Sequence, residues 1–435
     1  MLQTNFFSES VSTEGEAVSD SYVSFRIALD VTRLVAHRWS GLPATGIDRV
    51  CYAYLLRYRH EARAVVQFMG VRRIFSARHS QELFNLLLNP GKDYRRKALW
   101  LALRAIPPGA RRTKCNGAFY LNLAHTDLDR ADLADWVRDC ELNPIYMIHD
   151  LIPISHAEYC TPYASKRHAR RLKNALGHAM GIIANSDSTA HEIQTYAKEG
   201  GHRLPSVMGN WLAGAKLIKG ASNISRPENY FVFVSTMEGR KNHFMLLQIW
   251  RQLVERMGAA APHLKIIGQK GAQSWHVQNM LEQCDVIRSR VAVVPRCPDV
   301  ELGDWVAGAR ALLFPSFAEG FGLPLVEALE LGTPVIASDI PTFREIGQGI
   351  PTLIDPLDAR GWANMVTDFM KDCPERRRQL KAMHSFRAPT WEEHLVKIDT
   401  WLEALRPTVA MPRKYIGNSI AISDTIASAS RSGAA

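Results

Sequence analysis

Short apolar runs alternate with longer amphipathic stretches along most of this chain. "FRIALDV" from Phe25, "AVVQFMG", "GAFYLNLA", "NPIYMIHDL" and "GIIANS" predict buried strands. "GIDRVCYAYLLRYRHEA" and "PYASKRHARRLKNALGHAM" carry apolar residues at helical spacing and predict helices between them. The repetition of strand, helix and strand means βαβ units, a parallel sheet with helices on both faces. The pattern weakens from about Gly209 to Asn229, where Gly, Ser, Asn and Pro crowd together. It resumes with "YFVFVST", "NHFMLLQIWRQLVERMG", "LKIIG", "SWHVQNMLEQC", "VAVVP", "VELGDWVAGA", "ALLFPS", "PVIAS" and "PTLID". The reading is an α/β protein with two Rossmann-like, doubly wound parallel-sheet domains facing a cleft, residues 23–208 and 229–388, joined by a linker at 209–228. A helix over 389–406 is expected to return to the first domain, and 1–22 and 407–435 are expected to be loose tails.

Composition narrows the class. The chain has 435 residues, 46% hydrophobic and 22% charged, as expected of a globular protein of two or three domains. No run approaches the roughly 20 apolar residues of a membrane span. The first residues, "MLQTNFFSESVSTEGEAVSDSY", lack a basic stretch followed by an apolar core, so no secretory leader is expected. Seven cysteines are scattered without a C-x-x-C pair, which argues against a disulfide framework or a zinc site and for reduced thiols in a cytoplasmic protein. The formal net charge of +10 favours anionic partners. Nucleotides, phosphorylated lipids and membrane surfaces all qualify; no motif that reads nucleic acid accompanies the charge.

The candidate chemistry sits in "FPSFAEGFGLPLVEALELGTPVIASD", Phe314 to Asp339. "ALLFPS" predicts a strand and "PLVEALELG" a helix closed by Gly332, so "FAEGFGL" is a loop at the strand-to-helix edge of the sheet. The amides of Gly320, Phe321, Gly322 and Leu323 then lie near a helix N-terminus, which suits an anion such as a diphosphate. Pro324 fits the first helical turn. Glu319 and Glu327 flank the turn, and carboxylates accept hydrogen bonds from hydroxyls. Amides for phosphate and acids for hydroxyls together describe a sugar nucleotide; a capped helix with dipole-favouring acids is the plainer alternative. In "FVFVSTMEGRKN", Arg240 and Lys241 follow a strand, where two cations can neutralise charge on a departing diphosphate.

"EGFGLPLVE" resembles the E-x7-E motif of retaining glycosyltransferases of the GT-B fold, family GT4, and the likeness runs through "VELGDWVAGARALLFPSFAEGFGLPLVEALELGTPVIASDIPTFREI". The resemblance implies that Glu319 contacts donor-sugar hydroxyls, Glu327 the nucleotide ribose, and the loop amides the sugar and diphosphate. It carries Lys241 over as a catalytic cation. The family often has Arg where this chain has Thr236, a donor-side position, and Arg240 is expected to replace that cation. In the first domain, Thr45 and Gly46 of "LPATGIDRV" resemble the family's glycine loop on the acceptor or diphosphate side; for Thr45 a helix cap is the equal alternative. Arg49 reads as a surface charge or an acceptor-phosphate contact. "YMIHDLIPISH" places His149 and Asp150 at a strand end, and the resemblance gives His149 a part in orienting donor and acceptor. His125 of "LNLAHTDLD" is a lesser candidate beside a structural role.

The resulting expectation is a retaining, metal-independent hexosyltransferase that needs no cofactor, its nucleotide-diphosphate sugar being a substrate. GDP-mannose is the first donor expected, with rhamnose or glucose donors next. The expected acceptor is a glycan, or a glycan linked to polyprenyl diphosphate, in polysaccharide synthesis. The basic segment "DYRRKALWLALRAIPPGARRTK", with Arg95, Arg96, Lys97, Trp100 and Arg104, reads either as a solvated helix face or as a peripheral contact with an anionic membrane. A sugar-nucleotide epimerase or hydrolase of the same fold, a non-catalytic nucleotide-sugar binder and a nucleic-acid binder are the alternatives.

Overall fold

The computed structural model describes residues 25–41, 45–68, 70–105, 113–220 and 225–406. The expected tails, residues 106–112 of the basic segment and four residues of the expected linker lie outside the described residues.

Two sheets organise the chain. The first holds β1 (Ile27–Asp30), β2 (Ala62–Phe68), β3 (Val71–Ile74), β4 (Phe119–Asn122), β5 (Asn143–Ile148), β6 (Gly181–Ala184) and β7 (Ser206–Gly209). Their order is β3-β2-β1-β4-β5-β6-β7, and each pairing is parallel except β2 with β3. The second sheet holds β8 (Tyr230–Val234), β9 (His263–Ile267), β10 (Val291–Val294), β11 (Leu312–Phe314), β12 (Val335–Ser338) and β13 (Thr352–Ile354). Its order is β10-β9-β8-β11-β12-β13, parallel throughout. Strands such as "IALD", "GIIA" and "VIAS" are buried along their whole length, which explains why they read as continuous apolar runs rather than as alternating ones. Strand order reverses between β1 and β4 and again between β8 and β11. A crevice opens at the C-terminal ends of strands where the order reverses. The architecture is therefore GT-B, two doubly wound domains.

The last described helix, Trp391–Leu405, packs on the first domain. It starts at a capping box, in which Thr390 and Glu393 satisfy each other's backbone amides. Leu395, Ile398 and Leu402 form its buried face. Asp399 receives Arg57 Nε at 3.1 Å and the Tyr58 hydroxyl at 2.8 Å. His394 binds the Trp211 carbonyl through Nδ1 at 2.9 Å, and its Nε2 lies 2.9 Å from the Tyr54 hydroxyl. A carbonyl only accepts, so Nδ1 carries the proton and Nε2 accepts from Tyr54. Burial keeps this imidazole neutral, lowering its pKa to about 4. One histidine thus ties the first domain, the segment leaving β7 and the final helix together.

Candidate functional site

The reversal between β8 and β11 brings two loops into one crevice. Beyond β8 the chain passes Ser235 and an exposed Thr236, turns through Gly239–Lys241, and enters the helix His243–Met257 from Asn242, which sits at φ 59°. Beyond β11, "PSFAEGFG" leads into the helix Leu323–Glu330. Phe317 N donates to Arg240 O at 2.8 Å, so the two loops are stitched through their backbones. The turn needs glycine at Gly322, whose φ of 113° is a left-handed conformation that side chains rarely adopt. It needs glycine at Gly320 for space, because a Cβ there would stand 2.1 Å from the His149 carbonyl oxygen of the first domain.

Glu319 meets both cations. Arg240 Nη1 donates to Oε2 at 3.0 Å, and Lys241 Nζ donates to Oε1. Burial alone raises a carboxyl, yet Lys241 and then Arg240 outweigh it and hold Glu319 down to about 2. Burial, aided by Arg240, pulls the Lys241 ammonium below its usual value despite Glu319. The Arg240 guanidinium moves the other way: Glu319 and Glu238 overcome its burial. At neutral pH Glu319 is an acceptor-only anion and Arg240 is fixed as a cation, its second acid, Glu238, standing 3.2 Å from Nε.

Glu327, the second acid, is 5% exposed. Arg49 Nη1 reaches it from the first domain at 2.8 Å, and Ala215 N donates to the same oxygen, Oε1, at 2.8 Å. Burial raises the carboxyl and Arg49 opposes that rise. Arg49 also lies 3.4 Å from Asp299. A residue that reads as a surface or acceptor charge in the sequence thus stands on the acid of the opposite domain, 278 positions away.

The other first-domain residues approach the same crevice. Thr45 caps the helix Gly46–Tyr58 in a capping box with Asp48, and its hydroxyl also takes Arg33 Nη2 at 3.0 Å. Gly46 faces Leu323: a Cβ on it would come within 3.2 Å of Leu323 Cδ1. His149 binds the Leu123 carbonyl through Nε2 at 2.8 Å. Nε2 therefore carries the proton, and the bare Nδ1 is left as an acceptor; burial lowers its pKa and keeps it neutral. Asp150 lies two residues before the short helix Ile152–Ser155 and accepts from Ile152 N at 3.1 Å. His125, at φ 60°, lies with its ring 5.4 Å from that of His149, also buried and held neutral by desolvation. Phe321 is buried in the loop.

The partners that join these loops carry no signal of their own in the sequence. Ser186 Oγ and Thr189 Oγ1 reach the Gly320 carbonyl at 2.9 and 3.2 Å. Thr342 Oγ1 reaches the Glu319 carbonyl at 2.8 Å. Glu345 accepts from the amides of Asp187 and Ser188 at 2.8 Å each. "NSDST" is legible as a helix cap, but no local pattern announces a partner 134 residues away.

The assembled site offers two cations held by one acid, an amide-lined helix start, a second acid facing the linker and a neutral histidine across the crevice. Among the described residues no group of three or more His, Cys, Asp or Glu side chains is arranged to hold a metal ion.

Residues 215–384 match the family described as "Glycosyl transferases group 1". The chain is 28% identical over 226 residues to "Serotype-specific mannosyltransferase WbdA" of Escherichia coli, a match covering 47% of this chain and 27% of that protein. It is 29% identical over 145 residues to "O-antigen chain mannosyltransferase B" of Escherichia coli, covering 33% and 38%. The chain therefore spans well under half the length of these relatives. Among solved structures, Alr3699/HepE from Anabaena in complex with UDP-glucose superposes with a TM-score of 0.57 at 16% identity, over 87% of this chain and all of that one. That superposition shows the shared fold.

Proposed function

We propose, from the match of residues 215–384 to the group 1 glycosyl transferases and the two doubly wound sheets, that the protein transfers a hexose from a nucleotide-diphosphate sugar with retention at the anomeric carbon. The observation that carries the reading is the convergence of Arg240 and Lys241 on Glu319 at the strand-order reversal. The donor diphosphate takes the loop amides of Gly320 to Leu323 and the two cations; Glu319 takes sugar hydroxyls and Glu327 the ribose.

In the reaction, the bond between C1 and the diphosphate oxygen breaks while a bond from the acceptor hydroxyl to C1 forms on the same face. The acceptor proton passes to the leaving phosphate. Electrostatic stabilisation by preorganised charge is the largest contribution such a site makes, and here it falls to Arg240 and Lys241 in place of a metal ion. His149 Nδ1 accepts from a donor or acceptor hydroxyl at the crevice. Mannose is the preferred donor sugar, supported by the two mannosyltransferase relatives. UDP-glucose in the Anabaena structure supports a nucleotide sugar as the donor class. The acceptor is a growing surface polysaccharide, free or on a polyprenyl diphosphate.

Among the described residues no helix is long and apolar enough to cross a membrane. Contact with a lipid-linked acceptor falls instead to the helix Tyr94–Ala105, which exposes Leu99, Trp100 and Leu103. Arg95 Nε donates to the carbonyl of Trp39, itself exposed, at 2.9 Å, tying this helix to the end of the helix Thr32–Ser40. We place the enzyme on the cytoplasmic side, visiting an anionic bilayer through this face.

The test is a thermal-shift screen of GDP-mannose, UDP-glucose and dTDP-rhamnose, since a ligand that binds the folded state raises the melting temperature. Stabilisation by GDP-mannose is expected. No shift with any nucleotide sugar overturns the donor reading.

A further inference from the structure

The helix Asp187–Glu199 of the first domain begins against the second domain. Its N-cap, Ser186, accepts from Thr189 N at 3.0 Å while its hydroxyl reaches Gly320 O. Thr189 Oγ1 joins on the same carbonyl, and both side chains are fully buried. The next two amides, Asp187 N and Ser188 N, end on the two oxygens of Glu345. These are orphan donors of a helix start, where a carboxylate is favoured both by hydrogen bonding and by the helix dipole. Glu345 stands on the helix Pro341–Ile346, whose Thr342 holds the Glu319 carbonyl. Two successive carbonyls of the loop are thus gripped, Glu319 O from its own domain and Gly320 O from the other.

Gripping a carbonyl fixes more than an oxygen. A peptide unit is planar, and in the trans form its C=O and N–H point in opposite directions; the described chain has no cis peptide bond. The Gly320 carbonyl points into the first domain, so the Phe321 N–H of the same unit turns back toward the second domain, where the anion-binding reading needs an amide. Glycine at 320 gives this unit its freedom, and without an external hold the plane is free to rotate.

We propose that Ser186 and Thr189 are positioning residues that set the Gly320–Phe321 peptide plane across the domain boundary, with Glu345 holding the helix end that presents them. The proposal rests on the donor-loop reading above. It makes the orientation of a donor-side amide depend on contact with the acceptor-side domain. Donor capture then needs the second domain, whereas productive geometry needs both.

The test uses the full chain and two readouts. Thr189→Val removes the hydroxyl but leaves the helix cap; Thr189→Ser restores the hydroxyl; Ser186→Ala and Glu345→Gln follow. The first readout is amide hydrogen exchange across residues 316–326 without any nucleotide. Faster exchange is expected at Phe321 in Thr189→Val and Glu345→Gln, and wild-type exchange in Thr189→Ser. The second is transfer kinetics with the nucleotide sugar that stabilises the wild type. There kcat falls by about 10- to 100-fold, the usual cost of slight misplacement, while donor KM stays within about twofold. Unchanged exchange in Thr189→Val overturns the proposal, as does equal loss in Thr189→Ser. A wild type that binds no nucleotide sugar defeats the donor reading instead, and the exchange comparison still decides the tether.

Discussion

Replacing Arg49 by Gln leaves Glu327 buried without its cation. The guanidinium nitrogen is 2.8 Å from Oε1, which places the charge centres roughly 4 Å apart, worth about 4 kcal/mol at an effective dielectric constant of about 20. Arg49 is 28% exposed and shared with Asp299, so screening cuts this to about 2 kcal/mol. The loss carries a pH signature. Burial already raises the Glu327 carboxyl above the unfolded value of 4.5, and removing Arg49 raises it further. Between the unfolded and folded pKa the folded chain holds a proton that the unfolded chain has released. This group's contribution to stability therefore falls as pH rises through that window. The cost of Arg49→Gln is accordingly smaller at pH 5, where Glu327 accepts a proton in place of the cation, than at pH 8. Urea unfolding at both pH values measures it, with Arg49→Lys expected to lie between wild type and Gln. An equal loss at the two pH values, or none, refutes the electrostatic account.

Other outcomes follow from the same geometry. Glu319→Ala nearly abolishes transfer while circular dichroism shows the fold intact; near-normal turnover removes Glu319 from the site. Lys241→Ala slows transfer by about 100-fold or more in steady-state kinetics, as for other lost transition-state charge contacts. Glu327→Ala chiefly weakens donor binding, because ribose contacts are alike in ground and transition states; equal falls in kcat and kcat/KM contradict that role. Co-flotation with anionic vesicles is salt-sensitive and weak with neutral vesicles, each cation near the surface adding about 1 kcal/mol. Charge reversal at Arg95, Arg96 and Lys97 reduces it and spares donor affinity; no binding at low salt leaves the basic helix a solvated face.

Much of the architecture is legible because buried parallel strands leave unambiguous apolar runs. "FRIALDV" contains β1, "GIIANS" contains β6 and "PVIAS" contains β12, each closed by polar or turn residues. Less legible is β3: "VRRI" carries two arginines, and Arg72 is buried only because Gln67, Asp127 and Asp132 surround its guanidinium. The helix Thr32–Ser40 was likewise hidden, starting straight from β1 without a side-chain cap. At the candidate site, the sequence could place Glu319, Arg240 and Lys241 after strands, since strand ends and glycine turns are local features. It could not pair Arg49 with Glu327 or Ser186 with Gly320. Those contacts join segments far apart in the chain, and their residue types are as common on surfaces as in sites.

The return of the helix Trp391–Leu405 to the first domain has a consequence for how the chain is made. Ribosomal synthesis proceeds at about 5–20 residues per second, and roughly 180 residues separate the end of β7 from that helix. For some 10–40 s, therefore, every strand of the first sheet has been made while the surface destined for Leu395, Ile398 and Leu402 is still bare. The first domain is completed by the last described helix, after the second sheet has emerged. The packing of the first domain is therefore completed out of the order of synthesis, only once the chain beyond the second sheet has been made.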